Sequence, residues 1–284
     1  MADRLADIVT QIQNVRQLEA VVTAMRGIAA SRAQKARSLL AGVEVYSQVV
    51  SRAIGEALSL LSFDMPAAPV RSRAKPALIL FCAEQGFAGA FTERVLEAAT
   101  DVGQATVFMI GQRGVTIARE HGIEPAWSEP MAGHPDAIPS FANRLADDLY
   151  DYIARGEVAE VDILYARSAS TGGTEVERHS LLPIDFERFG RPPRHEAPLI
   201  SLSADILLER LAEEYVYAQL CEAALHAYAA ENEARMIAML EARTNIETKL
   251  TGLSNRERQL RQQEITTEVV ELAAGAEAAK SSHR

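Results

Sequence analysis

The chain has 284 residues, 48% of them hydrophobic and 24% charged, which supports packed cores and excludes a chain disordered throughout. Its net charge of −10 argues against a general nucleic-acid binder, which needs a basic field. Its two cysteines, Cys82 and Cys221, are too few and too far apart for a disulfide scaffold or a cysteine zinc site, and fit a reducing, cytoplasmic setting.

All eleven prolines lie between Pro66 and Pro198. Proline breaks helix interiors, so its absence from both ends leaves room for two very long helices. The first is expected from Asp3 to Leu61, roughly 90 Å at 1.5 Å per residue. Ile8, Ile12, Val15, Leu18, Val22, Met25 and Ala29 follow one another by threes and fours, a seam of the coiled-coil type. This helix carries a local basic stripe: Arg16, Arg26, Arg32, Lys35 and Arg37 stand against a single acid, Glu19. On an acidic chain such a stripe reads as a partner surface or as a solvated helix face.

The middle segment, from Lys75 to Pro198, reads as a small open α/β sheet. The apolar run 77–83 is a buried strand, followed by a helix over 92–101. A second strand covers 105–110 and a second helix 115–121. A longer helix fits 136–155, with Pro139 in its first turn. Strands are expected at 161–165 and, more weakly, at 176–184. The last helix is expected from Ser203 to Ala279. Its seven-residue series is Leu211, Ala218, Leu225, Asn232, Met239, Ile246, Leu253, Leu260 and Thr267. Asn232 within that stripe reads as a register-fixing polar residue.

The resulting fold class is α/β: a long antiparallel coiled coil of the N- and C-terminal helices, with an inserted small, open, Rossmann-like sheet domain. The division is 1–62, 75–198 and 199–284. The last helix is longer than its partner, so part of its stripe calls for cover from outside the chain.

Apolar runs are far shorter than the roughly 18 residues of a membrane span. The polar segment 1–7 resembles neither a secretory leader nor a transit sequence. Gly86-Phe-Ala-Gly89 and Gly111-Gln-Arg-Gly114 sit between strand and helix, where anion-binding turns form. Neither completes a dinucleotide or P-loop pattern, and no lysine lies between Lys75 and Lys249. Tight strand-to-helix turns account better for these glycines, and Arg113 has no catalytic partners in its turn. No pair of the six histidines has helical metal-ligand spacing. The residues give no catalytic constellation and no cofactor or metal site.

Both termini carry a family resemblance. The last helix contains Glu231-Asn-Glu-Ala-Arg235-Met236-Ile-Ala238-Met239 and, further on, Arg261-Gln262-Gln-Glu-Ile265-Thr266-Thr-Glu268 through Gly275-Ala276. The first helix adds Ala24-Met25 and Ile28-Ala-Ala-Ser-Arg32; the sheet segment adds Glu84-Gln-Gly86-Phe-Ala-Gly89 and Leu181-Leu-Pro183. Together these resemble the gamma-subunit family of F-type rotary ATP synthases, in the family's order. The lysine-bearing stretch usual before the Ala-Met pair is here Ala20-Val-Val-Thr23, so the chain looks like a divergent branch.

The resemblance implies a central rotor shaft with no active site of its own. Its helix pair would sit inside a hexamer of alpha and beta subunits, with the sheet domain against epsilon and the membrane c-ring. Location would be the cytoplasmic side of a bacterial inner membrane, reached only through the c-ring. Arg16, Met25, Arg26, Arg32, Lys35, Arg256, Arg258, Arg261, Gln262, Thr266 and Glu268 would contact the hexamer, the basic ones facing acidic loops of beta. Glu84, Gly86 and Gly89 would form the turn of the foot domain. A small-ligand or nucleotide-binding α/β protein and a static gamma-like scaffold or inhibitor stay open as alternatives.

Overall fold

The computed structural model describes residues 2–61, 74–100, 102–169, 173–190 and 199–281. It divides into two compact units: residues 29–235, and residues 1–28 together with 236–284. Two long helices, α1 (Ala2–Leu60) and α5 (Ala204–Ser281), contribute to both.

The unit 29–235 is built on a five-stranded sheet in the order β3-β2-β1-β4-β5. Its strands are β1 (Lys75–Phe81), β2 (Thr106–Ile110), β3 (Trp127–Glu129), β4 (Val158–Ser168) and β5 (Thr174–Leu182). All pairings are parallel except β4 with β5. Helices α2 (Phe91–Ala98), α3 (Gln112–Glu120) and α4 (Ile138–Ala154) connect them. β1 is central and apolar on both faces, as a strand of a covered parallel sheet must be. Ala77, Ile79 and Phe81 join a core with α4 and α5, whereas Leu78 and Leu80 join one with α2 and α3. Full burial of such side chains contributes about 1.5–3 kcal/mol each.

In the same unit α1 packs on α5. Gln219 bonds Ser47 at 3.1 Å, and Arg37 pairs with Glu233. Numbers rise on one helix as they fall on the other, so the two run antiparallel. Val50, Ile54 and Leu58 continue the seam against Leu208 and Tyr215.

The second unit has one cluster of its own, Val22 with Met239 and Ile246, flanked by Val15, Met25, Ala242 and Leu250. The stripe expected on α5 is the buried one: Ala218, Leu225, Asn232, Met239 and Ile246 are all buried. On α1, Leu18 departs from its expected place and is 51% exposed. Two successive steps of three residues rotate it about 120° from Ile12 around the helix. Near the end of α5, Leu272 and the next two residues are exposed; side chains from 275 onward lie outside the described residues.

Several boundaries differ from expectation. β3 was not expected: three residues, two of them Ser and Glu, give no readable alternation, and only pairing to β2 makes them a strand. β4 extends on both sides of 161–165, to 158 by pairing with β1 and to 168 by pairing with β5. α3 begins at Gln112 and includes Gly114. A 3-10 turn, Pro135–Ala137, precedes α4. Expected residue 101 lies outside the described residues.

Candidate functional site

The most developed polar site is buried where α5 meets the turn after β1. Three neighbouring α5 side chains, Glu231, Asn232 and Arg235, are only 3%, 2% and 5% exposed. Their spacing of three and four residues places Glu231, Asn232 and Arg235 on adjoining turns of one face. Arg235 donates from Nε to the Gly86 carbonyl and from Nη2 to the Gln85 carbonyl, both at 3.1 Å. It also donates to Asn232 Oδ1 at 3.1 Å and to Glu231 Oε1 at 2.5 Å. The same Glu231 oxygen accepts the Gln85 N–H at 3.2 Å, and Asn232 donates to the Tyr228 carbonyl at 2.8 Å.

A buried ion pair is sustained only when its remaining hydrogen-bonding capacity is met, and here most of it is. Asn232 therefore serves differently from the reading of a seam residue. Its two hydrogen bonds stay within α5, and one of them orients the guanidinium that grips the turn.

The turn is held from its other side by Glu84. Its Oε2 accepts the backbone N–H of Gln112 at 3.0 Å and of Met131 at 2.9 Å. The carboxylate thus ties the end of β1 to the start of α3 and to the segment after β3. Gly89 (φ 58°) and Phe87 (φ 63°) adopt left-handed backbone in this turn, and Phe87 is 68% exposed. For Phe87 such a φ is a genuine departure that the surrounding bonds must hold.

This sheet order puts ligand sites at the carboxyl ends of its strands, near the switch between β1 and β4. Here the Gln85 and Gly86 carbonyls are already taken by Arg235. A cavity of about 430 Å³ remains beside the turn, lined by Gln85, Gly86, Phe87, Thr92, Glu93 and Arg113. Glu93 opposes a phosphate there, and one of its carboxylate oxygens is buried without a hydrogen-bond partner. Gly111 and Gly114 make tight packing possible. A Cβ on Gly111 would stand 2.6 Å from the Cys82 carbonyl oxygen, and one on Gly114 would stand 2.2 Å from Cys82 Cβ. Gly111 thus answers to close approach of backbone and Gly114 to the Cys82 side chain, whereas nothing lies within 4 Å of a Cβ on Gly86 or Gly89.

A second, apolar cavity of about 560 Å³ is lined by Leu39, Val43, Tyr46, Tyr217, Cys221 and Leu225, with the start of α4. Burial raises the Tyr46 hydroxyl to about 12, helped by its hydrogen bond to Glu214. On α5, His226 stacks on Tyr165 of β4 with ring centres 5.7 Å apart. Burial lowers the His226 pKa and raises that of Glu222, the latter helped by Glu44 and Glu177. Among the described residues no group of three or more His, Cys, Asp or Glu could hold a metal ion.

The expected contact residues fall on both long helices. Arg16 and Lys35 are exposed; Met25, Arg26 and Arg32 are half-buried. Met25 packs in the seam beside Val22 and Met239, and Lys35 pairs with Asp136 at 3.2 Å. On α5, Arg256, Arg258, Arg261, Gln262, Thr266 and Glu268 are all exposed. Arg261 pairs with Glu257 at 2.8 Å, and Arg258 donates to Asn255 at 2.7 Å. Arg16, Arg26 and Arg256 form no ion pair among the described residues. Residues 268–274 are exposed without interruption, including Val269, Val270 and Leu272.

A family model described as ATP synthase matches residues 4–279. The chain belongs to the ATP synthase family. Among its relatives is the ATP synthase gamma chain of Kineococcus radiotolerans, 29% identical over 99% of both chains. That of Clostridium acetobutylicum is 26% identical, over 95% of this chain and 96% of the relative. Two solved structures of the Euglena gracilis mitochondrial ATP synthase share the fold. Its rotor matches with a TM-score of 0.62 at 13% identity, covering 93% of this chain and all of the other. Its OSCP/F1/c-ring assembly contains a chain that matches with a TM-score of 0.65 at 12% identity, covering 100% and 97%. As an ATP synthase family member, the chain has its two sequence-matched segments, Glu84–Gly89 and Glu231–Arg235, joined in one hydrogen-bonded site. The missed residues are Glu231, Asn232 and Arg235. Their only sequence signal was that both segments carried the resemblance.

Proposed function

We propose that the chain is the central-stalk rotor subunit of an F-type ATP synthase. It transmits rotation between the membrane c-ring and the catalytic alpha/beta hexamer, and so couples ion transport to ATP synthesis or hydrolysis. The observation that carries this reading is the family match over 4–279, joined to a fold of two long helices around a small sheet. Residues 1–62 and 199–284 serve as shaft and 75–198 as foot. Chemistry resides in the partner subunits: in the turn where a ligand would bind in this sheet, the Gln85 and Gly86 carbonyls are taken by Arg235, and Glu93 stands beside Arg113 in the cavity next to it.

The partners are alpha, beta, epsilon and the c-ring, and the chain reaches the membrane, on the cytoplasmic side of a bacterial cell, through the c-ring. No helix among the described residues is long and apolar enough to cross a membrane. The exposed apolar side chains of residues 265–272 support a sleeve of other subunits around the end of α5. Arg16, Arg26, Arg32, Lys35, Arg256, Arg258 and Arg261 face acidic loops of beta. Glu84, Gly86 and Gly89 shape the foot-domain turn.

Co-expression with cognate alpha and beta subunits, followed by size exclusion and an ATPase assay, tests the reading. A stable complex with a single copy of this chain per hexamer is expected. Absence from the hexamer, or binding of nucleotide by the isolated chain, would overturn it.

A further inference from the structure

The contact of α5 with the sheet changes character along the helix. Val216, Leu220 and Leu225 supply large apolar side chains to the core. Beyond them the apolar residues are Ala227, Ala229 and Ala230, with Tyr228 the one large ring. Alanine permits close approach but offers no knob to resist a helix turning about its axis, and apolar attraction has no direction of its own. What fixes the rotational position of this stretch is polar. Tyr228 donates to the Gly133 carbonyl at 3.2 Å, and Glu233 accepts from Ser168 on β4. Arg235 makes the most bonds: four, from one planar group, two of them to backbone carbonyls of the turn after β1. A guanidinium holds its donors in a rigid fork, so these bonds constrain angle as well as distance.

The bonds continue across the sheet. From Arg235 and Glu231 they pass to Gln85 and Gly86. From the adjacent Glu84 carboxylate they pass to Gln112, after β2, and Met131, after β3. One polar strap therefore joins α5 to the carboxyl edge of three parallel strands, and it lies wholly within the unit 29–235. Arg235 is the last residue of α5 in that unit; from Met236 the helix belongs to the other. We infer that Arg235 is a torque-bearing clamp, locking the rotational register of α5 to the sheet at the point where the helix leaves it. The inference rests on the rotor reading: torque delivered to the sheet must enter the shaft helix without slip.

The test uses the complete ATP synthase carrying this chain, reconstituted in liposomes. The variants are Arg235→Lys, which keeps the charge but loses the fork, and Glu231→Gln, which keeps an acceptor but loses the charge. Three quantities are read: ATP hydrolysis without a proton gradient, ATP-driven proton pumping against one, and amide exchange of residues 84–89 in the complex. Both variants should keep the kcat and KM for unloaded ATP hydrolysis and pump fewer protons per ATP under load. Exchange in the turn should quicken by about tenfold, as loss of a charged hydrogen bond allows. Wild-type pumping per ATP in both variants, with a loosened turn, would overturn the clamp. So would failure of both to assemble, which would leave Arg235 a folding role alone. If the wild-type complex itself transports neither H⁺ nor Na⁺ at the expense of ATP, the rotor reading fails, and the clamp with it.

Discussion

Gly114→Ala should be among the most damaging single-methyl additions available in this chain. The new Cβ would lie 2.2 Å from Cys82 Cβ and 3.2 Å from its Sγ, where ordinary contacts begin near 3.4 Å. Neither side can retreat easily. Cys82 is 1% exposed, directly follows β1 and donates its N–H to Ile110 at 2.9 Å. Gly114 donates its own N–H to Ala83 at 3.0 Å. Relief of more than an ångström must come from separating α3 from the strand, so the cost belongs at the upper end of overpacking, about 3 kcal/mol. Trp127, the single tryptophan, packs 5.7 Å from Phe108 in the same sheet and reports that unit alone. Its fluorescence in urea should show the midpoint lowered by roughly 1 M. The colliding atom is Cβ, so Cys82→Ala in the same chain should restore nothing, whereas Cys82→Gly should restore most of the loss. An unchanged midpoint, or rescue by Cys82→Ala, would refute the steric argument.

Truncation before Ile265 should change the Trp127-monitored stability of the isolated chain by less than about 0.5 kcal/mol, since the exposed end of α5 buries little of its own surface. The same truncation should abolish coupled ATPase in the assembled complex; retained coupling would contradict a bearing role for this end. Burial first, then the Glu44 and Glu177 carboxylates, raise the Glu222 pKa, so its favourable protonation is fully present below the ordinary value of 4.5 and is lost as pH rises through the folded value. Glu222→Gln should therefore exceed wild type in urea midpoint at about pH 7.5, the gap closing below 4.5; His226 is lowered and acts in the opposite sense, equally in both chains. Burial pushes the Cys82 thiol up to about 12 and the Cys221 thiol up to about 11, so neither should react with a disulfide reagent at about pH 8 until the chain unfolds. Rapid native labelling of either would refute this.

The long helices were legible because two local signals agreed, the absence of proline and an apolar stripe at helical spacing. The apolar runs forming β1 and β2 were legible because strands covered on both faces have little polar interruption. β3 was not, since its three residues depend on a neighbour for their conformation. The clamp was illegible for a different reason. On α5, Asn232 read as a register-fixing residue of the stripe, and Glu231 and Arg235 only as part of the segment that carries the resemblance. Their partners, Gln85 and Gly86, lie 150 and 149 positions from Arg235 and bond through backbone atoms, which leave no trace in side-chain pattern. The basic stripe was readable as charge, yet Lys35 proves to be engaged with Asp136 of its own chain.

The division of the chain also orders its synthesis. Residues 29–235 form one uninterrupted stretch, and the other unit is made from the two ends. On a ribosome residues 1–28 emerge before the sheet unit, but the side chains that Val22 packs against, Met239 and Ile246, are made only after it. The sheet unit has all of its own chain once Arg235 is out, so it can mature while the first turns of α1 still wait with their apolar side uncovered. The helix seam of the ends closes only after the sheet unit has its chain, and until then a nascent-chain chaperone or an early-arriving partner subunit can meet it.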